Sequence, residues 1–282
     1  QLNIVQPKLY NDKKIKAAIG EFLLQCPVYK VYQGPGTFTR QQKKQVTNIF
    51  DRAIERTPEH KNELELLRSV FLHQKDDFSN KTKQIHDFFR RCMQFTGPLM
   101  AKGGEDTAFY TFNRFISHSE VGDSPSYFGI TNKEFHQDMH MKQKEFPVTL
   151  NALSTHDTKR GEDARARLAV ISDMPQIWEK QIKQWHTMND KHKVVDNERK
   201  IPSSNDEYFI YQAIIGSLPV KEMKSENFEA RLKNYITKVL REGKEQSNWT
   251  EPEITYEQAT HQFIHSILSD TSGFLQQMKP FL

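Results

Sequence analysis

Ser154 to Asp163 reads STHDTKRGED, which sets His156 beside Asp157, follows them with Lys159 and Arg160, and resumes with acidic residues at a helix start. A carboxylate on such a turn accepts hydrogen bonds from two hydroxyls of a polyol, a neighbouring cation keeps it ionised, and an imidazole donates a further bond. The competing reading is a capped turn. Ser154 and Asp157 have capping-box spacing, and Asp163 and Arg167 are spaced for a helix-surface pair. On residue types alone the two readings stand level.

A second constellation lies at 96–115, TGPLMAKGGEDTAFYTFNRF, where Lys102, Glu105, Asp106, Asn113 and Arg114 are set among Phe109, Tyr110, Phe112 and Phe115. Directed polar groups against aromatic faces suit a carbohydrate pocket, because hydroxyls need paired donors and acceptors while sugar C–H faces stack on rings. The plainer reading is a helix N-terminus, with Gly103 and Gly104 as a loop and Glu105 and Asp106 as first-turn charges. His136 and His140 have the i, i+4 spacing of a metal pair, but no HExxH motif or third ligand accompanies them, so no metal is expected. Cys26 and Cys92 sit in apolar settings and predict neither a disulfide nor a thiolate site.

The elements that position these groups are mostly helical. Val148 to Leu153 has the β-branched, apolar character of a buried strand, and Glu162 to Val170 the composition of a helix, so His156 and Asp157 fall on a βα loop, where ligands are usually handled. Upstream, helices are expected over 13–25, from the Thr39 cap to Thr57-Pro58, and over 62–71 and 81–95. Between the first two lies an extended piece with a Gly34-Pro35-Gly36 turn, in which Tyr29 and Tyr32 are expected to pack rather than bind sugar. Thr131 and Glu134 form a capping box for the histidine-bearing helix. Downstream, a helix over 174–188 presents Trp178 and Trp185 on one docking face, and Asn189 to Lys193 reads as a solvated connector. Ser204 and Glu207 read as a capping box for a helix that is apolar nearly all round, and amphipathic helices follow over 228–240 and 256–268, with a short final one.

With 36% hydrophobic and 27% charged residues the chain is soluble and globular in profile, and neither a membrane span nor a signal peptide is evident. A cytoplasmic protein is expected. The net charge of +4 is interleaved with acids throughout, so a nucleic-acid role rests on the isoelectric point alone. The chain starts at Gln1 and its last residues remain amphipathic, which suggests a part of a longer polypeptide.

Four stretches, LSTHDTKRGEDARARLAV, QFTGPLMAKGGEDTAFYTFNRF with the following SEVG, NDEYFIYQAIIGSLP and SNWTEPEITYEQA, together closely resemble the maltooligosyltrehalose synthases of the α-amylase family. The resemblance runs in order along nearly the whole chain. It implies a mainly α chain: helical bundle subdomains inserted in a (β/α)8 barrel, with about one barrel strand, loop and helix present. The implied division is a helical insertion over 1–145 with a substrate-closing loop at about 96–130, the barrel strand and His-Asp loop over 146–172, and a second helical subdomain over 173–282.

The implied activity is that of an isomerase of trehalose biosynthesis, a (1→4)-α-D-glucan 1-α-D-glucosylmutase, which turns the reducing-end α-1,4 bond into an α,α-1,1 bond without a cofactor. By the resemblance Asp157 is the carboxylate that holds the distorted sugar in the transition state, and His156 binds a hydroxyl of the same sugar. Lys159 and Arg160 orient Asp157 or reach the neighbouring glucose, while Lys102, Glu105, Asp106, Tyr110, Asn113 and Arg114 close over the reducing end. The nucleophile and general acid are expected upstream, so the isolated chain is expected to be inactive. Its partners are a maltooligosaccharide and the missing barrel segments, with no nucleic acid or membrane. Gly104, Gly161 and Ser119 depart from the family pattern. The alternative is a non-catalytic α-glucan-binding or scaffold module.

Overall fold

The structure is a computed structural model that describes residues 11–33, 38–72, 81–219, 226–269 and 271–282. It divides into two compact units, 1–104 and 105–282, so the expected closing loop at about 96–130 lies across the division.

In the first unit the helical periodicity becomes α1 (Asp12–Leu24), α2 (Arg40–Arg56), α3 (Lys61–Phe71) and α4 (Thr82–Leu99). Thr39 caps α2 in a complete box: its hydroxyl accepts the Gln42 N–H at 3.2 Å, and Gln42 Oε1 accepts the Thr39 N–H at 2.8 Å. Helix α2 ends at Arg56 because the residue before Pro58 is driven from helical geometry. The inward faces meet in a phenylalanine cluster, with Phe22 stacked on Phe50 at 4.6 Å and Phe71 edge-on to Phe89 at 5.3 Å. Each such ring contributes about 1.5–3 kcal/mol by leaving water. Tyr32, expected to pack, is 73% exposed. Its segment is held by main chain instead, since Thr96 donates to the Tyr29 carbonyl at 2.7 Å and Gln42 to the Tyr32 carbonyl at 2.6 Å. The turn expected at Gly34 to Gly36 lies outside the described residues.

Beyond α4, Met100–Ala108 winds as a π-helix, whereas the helix-N-terminus reading of this stretch has Gly103 and Gly104 as a loop. Pro98 inside α4 has no N–H for the carbonyl one turn back and crowds it, and the side-chain-free glycines accept the wider winding that follows.

The second unit comprises α5 (Phe109–Thr111), α6 (Asn132–Glu145), α7 (Glu162–Ile171), α8 (Pro175–Asn189), the strands β1 (Val194–Asp196) and β2 (Arg199–Ile201), α9 (Ser204–Ser217), α10 (Glu226–Gly243), α11 (Ile254–Leu268) and α12 (Phe274–Met278). Helix α9 is its centre: Phe209 to Gly216 are all buried, as an all-round apolar helix requires. At Gly216 a Cβ would lie 3.4 Å from the Leu168 side chain, so the glycine sets how closely α7 approaches α9. Trp178 and Trp185 meet edge-on at 5.8 Å, and Trp185 also packs on Tyr211 and Phe274, so their shared face docks into this unit's own core.

Three local expectations are corrected. The cap of α9 is Ser203 with Asp206, one residue earlier than the Ser204-Glu207 box; the Ser203 hydroxyl accepts the Asp206 N–H at 3.2 Å. Glu207 is buried and accepts from the Tyr211 hydroxyl at 2.6 Å and from Lys193 Nζ at 2.7 Å, with His186 Nδ1 at 2.6 Å. The connector from Asn189 is a short 3-10 turn leading into an antiparallel hairpin, Val194 opposite Ile201, whose turn residues Asn197 and Glu198 both have positive φ. Finally, the barrel strand expected at Val148 to Leu153 is not a strand. Val148 is 91% and Leu150 96% exposed, because no strand among the described residues pairs with this stretch and its backbone turns back on itself, Thr149 N–H to the Phe146 carbonyl at 3.1 Å.

Helix α6 has the expected Thr131-Glu134 box, and His136 and His140 are exposed on it. Residues 111–116, from the end of α5 to a short 3-10 turn, are satisfied from α9. Gln212 accepts the Ile116 N–H at 3.0 Å and donates to the Asn113 carbonyl at 2.8 Å, Tyr208 donates to the Arg114 carbonyl at 3.1 Å, and Asn205 to the Thr111 carbonyl at 3.1 Å. No helix among the described residues is long and apolar enough to cross a membrane.

Candidate functional site

The His-Asp pair stands at the tip of a turn closed by two threonines. The Thr155 N–H donates to Thr158 Oγ1 at 2.6 Å and the Thr158 N–H to the Thr155 carbonyl at 3.2 Å, which leaves His156 and Asp157 as the turn's central residues. Both are exposed, and neither side chain makes a hydrogen bond or ion pair among the described residues. Neither the capping box nor the helix-surface pair read from spacing forms: Ser154 bonds Glu162 at 2.7 Å, and Arg167 donates to the Leu218 carbonyl at 2.7 Å. The Ser154 hydroxyl holds the exposed Glu162 carboxyl below its ordinary range. Gly161 is the N-cap of α7 and supplies no side-chain bond, as its lack of a hydroxyl dictates.

Immediately after the turn the chain becomes fixed. Glu120 Oε1 accepts the Lys159 N–H at 2.6 Å and Oε2 the Arg160 N–H at 2.9 Å, and Oε1 also accepts from Val121 at 3.1 Å. The Lys159 ammonium pairs with Asp106 at 3.1 Å and lies 4.9 Å from the centre of the Tyr110 ring. Arg160 is buried, donates to the Ser119 carbonyl at 3.0 Å and stacks over Phe209 at 5.6 Å. Burial pushes the Tyr110 phenol well above its ordinary range, with Tyr235 adding to the rise and Arg160 opposing it. Tyr235 is raised for the same first reason.

The structure therefore brings Asp106, Tyr110, Lys159 and Arg160 together behind the turn, with both cations engaged by groups other than Asp157. Asn113 is buried and ties to the Asn205 carbonyl at 3.3 Å. Arg114 is exposed and leans on Phe112 at 5.7 Å. Glu105 is buried, whereas Lys102 is exposed on the π-helix and belongs to the first unit. Sequence reasoning missed Glu120, the residue on which the arrangement turns. Its only signal is a lone acid between Ser119 and Gly122 in a turn-rich loop. Among the described residues no group of His, Cys, Asp and Glu is placed to hold a metal ion.

Chemically, an ionisable carboxylate and an imidazole side by side on an exposed tip offer directed partners for vicinal hydroxyls, while the ion pair and ring behind them stiffen the base.

No family model matches the chain. Over 178 residues it is 33% identical to proteins named "Putative maltooligosyl trehalose synthase" in two strains of Mycobacterium tuberculosis, a match that covers 63% of this chain and 22% of theirs. The maltooligosyltrehalose synthase structure from Arthrobacter ramosus superposes with a TM-score of 0.75 at 25% identity, covering 96% of this chain and 32% of that one. A hypothetical maltooligosyl trehalose synthase from Sulfolobus tokodaii gives 0.68 at 26% identity, covering 95% and 33%. The chain thus spans a fifth to a third of the length of these relatives. In sequence and in fold the chain is similar to a segment of the maltooligosyltrehalose synthases.

Proposed function

We propose that this chain is the segment of a (1→4)-α-D-glucan 1-α-D-glucosylmutase that carries the helical insertions of the catalytic barrel and its His-Asp loop. The observation that supports this reading best is the exposed His156-Asp157 turn, braced from behind, in a chain similar to maltooligosyltrehalose synthases over most of its length. In that reading Asp157 accepts hydroxyls of the glucose whose α-1,4 bond breaks and favours the positive charge that builds on its ring. His156 binds a hydroxyl of the same sugar.

The glycosyl unit then passes to the anomeric hydroxyl of the released glucose, forming the α,α-1,1 bond, and exclusion of water keeps the reaction from becoming hydrolysis. A retaining mechanism needs a carboxylate nucleophile and a carboxylic acid about 5 Å apart. Both belong to barrel segments outside this stretch, so the chain alone binds without turning over. Lys159 and Arg160 brace the turn or reach the neighbouring glucose, and Glu105, Asp106, Tyr110, Asn113 and Arg114 form or support the reducing-end side.

Calorimetric titration of maltopentaose into the chain, with Asp157→Ala as control and a parallel maltohexaose incubation, tests the reading. Weak binding lost in the variant, with no trehalose-capped product, is the expected result. Equal binding by both proteins, or product from the chain alone, overturns it.

A further inference from the structure

Glu120 has no role in the reading above, yet its carboxylate is buried and reaches across the chain to the residues next to the His-Asp turn. One oxygen accepts the N–H groups of Val121 at 3.1 Å and Lys159 at 2.6 Å, and the other accepts that of Arg160 at 2.9 Å. These are main-chain bonds, so they fix where the backbone runs whatever side chains it carries. They are also charge-assisted, which makes them about twice as strong as neutral ones. Asp157 lies two residues before the first clamped amide, and the intervening Thr158 is tied back to Thr155 at 2.6 Å. The tip bearing His156 and Asp157 therefore has one anchored side, and Glu120 is the anchor.

The geometry points to Glu120 as a positioning residue: its buried carboxylate, by clamping the Lys159 and Arg160 amides, sets where His156 and Asp157 stand and so governs the affinity of the turn for a maltooligosaccharide that Glu120 does not touch. This rests on the reading of Asp157 as a sugar-binding carboxylate. A structural role alone would show as lost stability of the whole unit. A positioning role shows at the turn while the remainder of the unit stays folded.

The test uses Glu120→Gln and Glu120→Ala in the full chain. The glutamine keeps one acceptor oxygen and turns an N–H₂ toward the other amide, so it releases one clamp bond with little change in shape. Amide exchange at Lys159 and Arg160 and the resonances of His156 and Asp157 are followed by NMR, with α11 amides as an internal reference and maltopentaose as the titrant. Exchange faster by about tenfold or more at the one released amide in the glutamine variant and at both in the alanine variant, with moved turn resonances and unchanged α11 protection, is expected. Maltopentaose affinity falls by about tenfold in the glutamine variant and further in the alanine one. Unchanged exchange overturns the proposal, as does unchanged affinity in a variant whose clamp amides have been released. If the unsubstituted chain takes up no maltopentaose, the sugar-site reading fails separately. The spectra then decide: moved His156 and Asp157 resonances uphold the clamp, and unmoved ones overturn it.

Discussion

Lys193→Met should destabilise the second unit through a charge left without its partner. The Lys193 and Glu207 side chains are each only 2% exposed, and their ion pair is 2.7 Å long. Removing one member of a buried pair costs about 3–5 kcal/mol, because the other stays desolvated and uncompensated. Glu207 keeps the Tyr211 hydroxyl at 2.6 Å and the half-exposed His186 at 2.6 Å, so the low end, about 3 kcal/mol, applies. For a domain of this size that lowers the melting temperature by about 6–12 °C.

Tryptophan fluorescence is the assay, since Trp178, Trp185 and Trp249 all lie in the second unit and Trp185 sits 5.5 Å from Tyr211. Adding Glu207→Gln to Lys193→Met removes the orphaned charge while keeping an acceptor for Tyr211, so the double variant should regain at least half of the loss. A single variant that loses under about 1 kcal/mol would refute the reasoning. So would a double variant no better than the single.

Two further outcomes follow from titrating groups. Arg241 donates twice to Glu257 at 2.7 Å and holds its carboxyl below the usual 4.5, aided by Ser247 and opposed by burial. That stability is complete above the unfolded value and is lost as pH falls through the lower folded one; Glu257→Gln should therefore flatten the acid limb of the stability profile, and an unchanged limb would contradict it. Burial pushes the Cys92 thiol up to about 12. At pH near 8 a disulfide reagent should label Cys92 only as fast as the first unit unfolds, and rapid labelling of the native chain would count against the buried setting.

Helix positions were legible because burial wrote them into the residue spacing: Phe22, Phe50, Phe71 and Phe89 recur on inward faces, and Thr39 and Thr131 announce their helices by capping boxes. What was not legible depended on partners distant in sequence. The strand reading of Val148 to Leu153 follows composition, but a strand exists only if another offers its backbone. The hairpin lacked a glycine at either turn position, so Asn197 and Glu198 gave little warning of positive φ. Glu207 read equally well as a capping acid or a buried acceptor, since Ser203 and Ser204 adjoin and only the folded register chooses between them. At the site, residue types single out Asp106 and Tyr110 in one stretch and Lys159 and Arg160 in another, but their meeting depends on the fold. Glu120, whose work is to hold other residues' amides, has no type-specific signature.

The dependence of residues 111–116 on α9 also bears on the order of assembly. The bonds that place Thr111, Asn113, Arg114 and Ile116 join residues 92 to 99 apart in sequence, whereas α10 and α11 pack as near neighbours along the chain. Closing so long a loop is an entropic debt settled only once both ends can bond, so local helix pairs form ahead of it. During synthesis, the stretch from Thr111 to Ile116 emerges long before the helix that satisfies it. A ribosome paused before Ser204 has exposed that stretch with its amides and carbonyls bound to water, and the scaffold beneath the His-Asp turn is completed only when α9 arrives.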